Sequence, residues 1–401
     1  MWSALVLAAQ IVAAIQVHGN TATPDAEIRR LAGIEIGATV GDTTVEEVAA
    51  RLKATKRFEN VQVLKRFASI ADPSQILLVI IVDEGAVHIE MTGDEAKSTK
   101  VVRNRGPRLL FLPIISAEDG YGATYGALVA RPDVAGKNSR LAFPLTWGGE
   151  KKAGVEFEKR MPNAPIDRVT AGASITRRTN PLFEQEDDRQ RVWVRAEREI
   201  VRSLRVGATA GWQHVTFAAA DDHFAVADAD VIFDTRVDPG LPRNAVYAKA
   251  MWEAIGPDHA AHYVVDGRGY LGLFHQNVLA LRALRDASDR PLPLYLQPLL
   301  GGMDNLRGFK AGTASGDTLT ATSAELIVPL TSPMNIGKLG VSAFIDAGTV
   351  YNHGERFADQ TLKQGVGGSV WFSAAFLHFN IAVAHGRGSS TRVHAGGSIT
   401  F

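Results

Sequence analysis

The chain has 401 residues, 43 basic against 43 acidic side chains, 46% hydrophobic residues and no cysteine. Balanced charge gives no electrostatic footprint for nucleic acid, and the lack of thiols excludes disulfides, cysteine nucleophiles and thiolate metal sites. Thirty-eight glycines and 7% aromatic residues suit a chain of many turns, and no apolar run reaches the ~18 residues of a membrane-spanning helix.

Ala4 to Ile15 has the length of a signal-peptide core, but Met1, Trp2 and Ser3 carry no basic head. Residues 1–11 therefore read either as a truncated signal segment or as the lead into a buried strand. Val12 to His18 predicts that strand. Gly19 and Asn20 predict a turn, and Thr23, Pro24 and Asp25 a helix start, with Ile28 and Leu31 on its apolar face and Gly33 as its stop. Thr44 and Glu47 have capping-box spacing and predict a second helix running to about Arg57. Alternation through Val61, Val63 and Phe67, then the β-branched run from Ile76 to Val82, predicts two more strands. The order strand, helix, helix, strand, strand makes residues 12–85 a small α+β domain, followed by a linker over 86–106 in which Val87 to Gly93 reads as a strand.

That order, together with Gln16-Val17-His18-Gly19-Asn20-Thr21 and Arg57-Phe58-Glu59-Asn60-Val61, resembles a POTRA domain. The resemblance implies a periplasmic module that precedes an outer-membrane barrel.

From Pro107 onward the pattern changes to a period of two. Val192, Val194 and Ala196 interleave with Arg191, Arg195 and Glu197, and Val341, Ala343 and Ile345 interleave with Ser342, Phe344 and Asp346. Such alternation places one side-chain set on each face of a sheet. A soluble sandwich uses strands of about five or six residues, whereas a transmembrane barrel needs about 9 to 11. About sixteen segments of roughly 18 residues, connection included, fill residues 107–401. The expected fold is therefore mainly β: a sixteen-stranded transmembrane antiparallel β-barrel over 107–401, preceded by one small α+β POTRA-like domain. Asp221 to Asp230 and Lys310 to Asp317 are expected as extracellular loops, and Phe401 as the end of the last membrane strand.

One constellation in the barrel region stands out. Gly301-Gly302-Met303-Asp304-Asn305-Leu306-Arg307-Gly308-Phe309 is a glycine-rich segment whose single arginine has a planar fork suited to a carboxylate. Alternation aims Glu325 and Asp346 inward on the strands that follow, and Trp371 is expected on the same face beside them. Ser323 to Val328, Phe344-Ile345-Asp346-Ala347-Gly348 and Gly365 to Phe372 complete the set. These four segments, in this order, resemble the BamA/TamA-like outer-membrane assembly family. The resemblance implies that Arg307, Gly308 and Phe309 belong to a loop inserted in the lumen, with Glu325 and Asp346 as wall partners. Gly301, Gly302, Phe344, Gly348, Gly367 and Trp371 would support them, and Gly396, Gly397 and Phe401 would lie at a lateral seam.

The histidines are scattered, His259 and His262 are expected on opposite faces, and no Gly-x-Ser-x-Gly elbow occurs. No enzyme activity, metal or cofactor is expected. The resemblance implies a protein of the Gram-negative outer membrane that assists insertion of outer-membrane proteins or translocates polypeptides. Its partners would be unfolded outer-membrane or secreted clients, outer-membrane lipid and accessory subunits. A two-partner-type secretion pore and a passive porin or surface antigen are the alternatives.

Overall fold

The computed structural model describes residues 10–83 except 21–22, 42, 59, 69–71 and 73, the short segments 87–90 and 100–103, and residues 109–399 except 163, 333–336 and 375–376. Most of the 1–11 signal segment, most of the linker and Phe401 lie outside the described residues.

The N-terminal unit contains β1 (Ile11–His18), α1 (Asp25–Ala32), α2 (Thr44–Ala54), β2 (Asn60–Phe67) and β3 (Gln75–Asp83). β3 is the central strand, parallel to β1 and antiparallel to β2. A central strand covered on both faces reads as an unbroken apolar run, which is the pattern from Ile76 to Val82. Ile76, Leu78 and Ile80 are fully buried in a core shared with Val12, Ile28, Val48 and Leu52. Leu78→Ala is expected to destabilise this unit by about 2–5 kcal/mol, because the hole cannot collapse fully; urea-dependent proteolysis of the N-terminal unit in the full chain measures it.

Helix α1 ends at Gly33 in the left-handed region (φ 61°), as its sequence predicts. Helix α2 departs from expectation. It stops at Ala54, the Thr43 hydroxyl donates to the Glu47 carboxylate at 2.7 Å, and Thr44 Oγ1 accepts from the Gly41 N–H. Two adjacent threonines compete for the same turn, so the Thr44–Glu47 capping box does not form. In the linker, β4 (Val87–Glu90) pairs antiparallel with β5 (Lys100–Arg103).

The second unit is a closed sixteen-stranded barrel. Its strands are β6 (Leu110–Glu118), β7 (Gly122–Pro132), β8 (Ser139–Gly148), β9 (Glu150–Arg160), β10 (Arg168–Thr179), β11 (Glu186–Val201), β12 (Leu204–Phe217), β13 (Ala220–Asp234), β14 (Ala245–Ile255), β15 (Ala260–Gly272) and β16 (Val278–Ser288), then β19 (Thr318–Thr331), β20 (Gly337–Tyr351), β21 (Lys363–Ala374), β22 (Leu377–Gly386) and β23 (Thr391–Ile399). The two-residue strands β17 (Leu299–Leu300) and β18 (Ala314–Ser315) belong to the connection between β16 and β19. Neighbours run antiparallel throughout.

Alternation is resolved as the period of two requires. Val192, Val194, Val265, Ile345 and Val383 are exposed on the outer face. On the inner face Arg195 pairs with Asp230 at 2.6 Å, and Asp266 with Arg268 at 2.6 Å and Arg282 at 3.0 Å. Inward charge therefore meets inward charge. Asp221 to Asp230 is not a loop but part of β13, joined to β12 by residues 218–219 alone. Its inward Asp228 and Asp230 are charge partners for Arg195 of β11, and its outward Ala225, Ala227 and Ala229 are small and apolar.

Two ladders are interrupted. Among the described residues β8 and β9 pair on both sides of Phe143 and Pro144 but not at them, because proline lacks the N–H a ladder needs. Among the described residues the ring closes between β23 and β6 through three residue pairs, Gly397 with Ala117, Ser398 with Ser116 and Ile399 with Ile115, whereas β6–β7 and β22–β23 each pair through nine.

Candidate functional site in the barrel lumen

The longest connection, residues 289–317, folds inward. Its start is held by Arg189, which donates to the Tyr295 carbonyl at 2.8 Å, and by Tyr295, whose hydroxyl donates to Asp222 at 2.6 Å. Its tip is a hairpin based on β17 and β18. Asn305 accepts from the Gly301 N–H and donates to the Leu299 carbonyl, while the Gly302 N–H donates to the Phe309 carbonyl at 3.0 Å. Leu300 and Leu306 are fully buried and Phe309 nearly so. The Lys310 to Asp317 portion is thus one limb of a folded-in loop.

Arg307 lies at the tip, 6% exposed. Its Nε and Nη2 each donate to Asp346 at 2.8 Å, Nη1 donates to Glu325 at 2.8 Å, and Nη2 also reaches Ser323 at 3.1 Å. The Arg307 backbone N–H donates to Asp346 at 3.0 Å, so one carboxylate holds both the fork and the chain that carries it. Asp346 is 2% exposed and takes a fourth donor, the Ser323 hydroxyl, at 2.7 Å. The guanidinium carbon stands 3.3 Å from the centre of the Phe344 ring, a stacked cation–π contact. Glu325 is oriented in turn by the Ser342 hydroxyl, which also meets the Ser369 hydroxyl.

Strand register explains why these groups converge. Ser323 lies opposite Asp346, Asp346 opposite Gly365, and Gly365 opposite Gly386, so one inward row crosses β19 to β22. The next row contains Glu325, Phe344, Gly367 and Ala384. Acidic groups fill the β19–β20 side and glycines the β21–β22 side. The bare backbone at Gly365 and Gly386 leaves a flat notch, in which the loop backbone lies directly on the wall. A Cβ at Gly386 would stand 2.6 Å from the Gly308 carbonyl oxygen and 2.7 Å from the Phe309 ring. Gly308 itself has φ 93° and fits against Gly386.

The structure therefore brings together Arg307, Gly308, Phe309, Glu325, Asp346 and Phe344. Gly301 and Gly302 form the hairpin, Gly348 receives the Leu300 side chain, and Gly367 lies against the backbone at Val383. Trp371 is placed differently from expectation. It is buried on the inner face, but three rows from Asp346, where it packs with Leu241, Tyr270 and Val278 and donates to the Val341 carbonyl. Gly397 is paired in the seam and Gly396 adjoins it, facing Met303 of the loop. Four further residues take part without being singled out as site residues in the sequence: Ser323, Gly365, Gly386 and His394. His394 Nε2 accepts from the Gly308 N–H at 2.9 Å. Glycine inside a strand was the signal available for two of them.

Beneath the loop is a cavity of about 320 Å³, whose lining includes Arg268, Arg282, Arg307, Glu325, Asp346 and His378. The other histidines are less scattered than expected. His262 lies between Glu253 and Asp286, while His259 sits in the turn before β15. Among the described residues one group, His214, Asp221 and His223 on the β12–β13 hairpin, has ligand-bearing atoms within 4.8 Å of one another, away from the lumen.

An Omp85 superfamily domain model matches residues 134–401, and a POTRA domain model of the FtsQ type matches residues 12–70. The chain belongs to the Omp85 superfamily. Of solved structures, BamA from Haemophilus ducreyi lacking POTRA domains 1-3 is similar at 14% identity and a TM-score of 0.63, over 97% of this chain and 84% of that one. CdiB from Escherichia coli is similar at 13% identity and a TM-score of 0.53, over 100% and 92% of the two chains. CdiB from Acinetobacter baumannii is similar at 13% identity and a TM-score of 0.52, over 98% and 74%. No curated protein matches. As an Omp85 barrel with a POTRA domain, the protein resides in a Gram-negative-type outer membrane, with the POTRA domain in the periplasm.

Proposed function

We propose that this Omp85 protein helps polypeptides into or across the outer membrane by opening its wall between β6 and β23, with the Arg307 loop holding the closed state. The observation that carries this reading is the seam, which among the described residues has three pairs between ladders of nine and stops at Gly397, leaving Gly396 to His394 unpaired with β6. Strand edges with unpaired N–H and C=O groups are templates for an incoming strand, and β-augmentation supplies affinity through main-chain bonds. The clients would be unfolded outer-membrane or secreted polypeptides, delivered from the periplasm with outer-membrane lipid at the seam and accessory subunits nearby. The role requires no covalent chemistry, so no enzyme activity and no cofactor is assigned.

The test uses the absence of native cysteine. Ser116→Cys with Ser398→Cys places two thiols directly opposite across the seam, within the span a disulfide needs. Oxidised protein in lipid vesicles is expected to lose insertion of an unfolded barrel client, and reduction to restore it. Equal insertion in both states would count against lateral opening. The cavity under the loop, with Arg268, Arg282, Glu325 and Asp346 in its lining, favours a second reading, a two-partner-type secretion route along the lumen. That reading predicts undiminished transport through the oxidised seam and a larger single-channel current in Arg307→Ala.

A further inference from the structure

His394 stands where three separate segments meet. It projects inward from β23 and is 2% exposed. Its Nε2 accepts the Gly308 N–H at 2.9 Å, and its Nδ1 lies 2.5 Å from a carboxylate oxygen of Asp119. Asp119 is in the turn between β6 and β7, on the other side of the seam. The tautomer follows from the partners. A nitrogen that accepts carries no proton, so the imidazole proton sits on Nδ1 and is donated to Asp119.

The position matters as much as the bond. The seam ladder runs from Ile399 to Gly397, and His394 lies beyond that last pair, so its bond to Asp119 crosses the seam where no backbone pair does so. A hydrogen bond to a carboxylate is stronger than a neutral one, so it adds a firm cross-seam tie above Gly397, where the ladder has ended. The loop is fastened to the same place by packing. Met303 lies over Gly396 and packs with Phe344, Ala382 and Ala384, and Asp119 rests against Gly302.

We propose that His394 is a positioning residue that makes the seated loop part of the seam. The Gly308 N–H at Nε2 and the Asp119 carboxylate at Nδ1 together fix the ring between the loop and the β6–β7 turn. A loop that leaves its seat removes one of the two partners that fix the ring, and the tie of β23 to the β6–β7 turn is held less firmly. The inference rests on the lateral-opening reading above.

Full-length protein in lipid vesicles tests it, with Ser116→Cys and Ser398→Cys reporting the closed seam through disulfide yield under fixed mild oxidation. Adding His394→Ala is expected to lower that yield about fivefold, the effect of removing one buried hydrogen bond. Asp119→Ala should do the same. His394→Gln, which keeps an acceptor and a donor at the end of its side chain, should restore part of it. A second pair, Ala210→Cys with Ala227→Cys, sits opposite in the intact β12–β13 ladder and should be unaffected. An unchanged seam yield in His394→Ala would overturn the proposal, as would an equal fall in the control pair, which marks general loosening. If His394→Ala opens the seam while the oxidised seam still inserts client, the coupling stands and the lateral-opening reading fails. If the seam yield is unchanged while oxidation stops insertion, the reverse holds.

Discussion

Asp346→Ala is expected to destabilise the seated loop by about 3–5 kcal/mol, the range for removing one partner of a buried ion pair. The magnitude follows from what is left behind. Arg307 would stay enclosed with only Glu325 to balance it; the Arg307 N–H, its Nε and the Ser323 hydroxyl would lose their acceptor together, and Nη2 would keep only Ser323. Arg307→Ala is expected to cost less, because both carboxylates keep serine hydroxyls as donors. The pair should be strongly non-additive, with the double variant no worse than Asp346→Ala alone. Protease cleavage within residues 301–313 reads loop release, and the temperature of the heat-modifiable shift in gel migration reads the barrel. Resistance equal to the parent in Asp346→Ala would mean that the carboxylate does not hold the loop.

Gly365→Ala is expected to unseat the same loop without touching any charge. A Cβ at this position would stand 1.8 Å from the Arg307 carbonyl oxygen, which is backbone and cannot swing aside. The loop must lift away from β21, at a cost at or beyond the usual 1–3 kcal/mol of overpacking. Gly269→Ala on β15 is the matched control, since nothing lies within 4 Å of its added methyl group. Raised single-channel conductance in Gly365→Ala, with parental behaviour in Gly269→Ala, is the expected pair of results. Parental conductance in both would show that the notch does not depend on bare backbone.

Much of this architecture is legible along the chain because its determinants are local. Alternation in β11 and β20 sorts outward valines from inward charges, and inward alternation also aims Glu325 and Asp346 at the lumen. What was lost depends on partners distant in sequence. Asp228 and Asp230 look like loop residues until Arg195, two strands away, supplies the opposite charge. Trp371 has the right parity but the wrong height, because parity fixes the face and register fixes the row. Gly365 and Gly386 are ordinary strand glycines until antiparallel pairing sets them opposite each other. His394 meets an aspartate 275 positions away, across a closure that no sequence window contains.

The inward connection is anchored to β11 and β13 at one end and to β19, β20 and β23 at the other. It is therefore a chord drawn across the closed ring of strands. A hoop braced by a chord resists being squeezed into an ellipse along that line, whereas an unbraced hoop deforms freely. Freeing the arginine end alone removes the brace but leaves the tyrosine end moored, so the segment swings like a latch on one hinge and returns to its seat without searching the solvent.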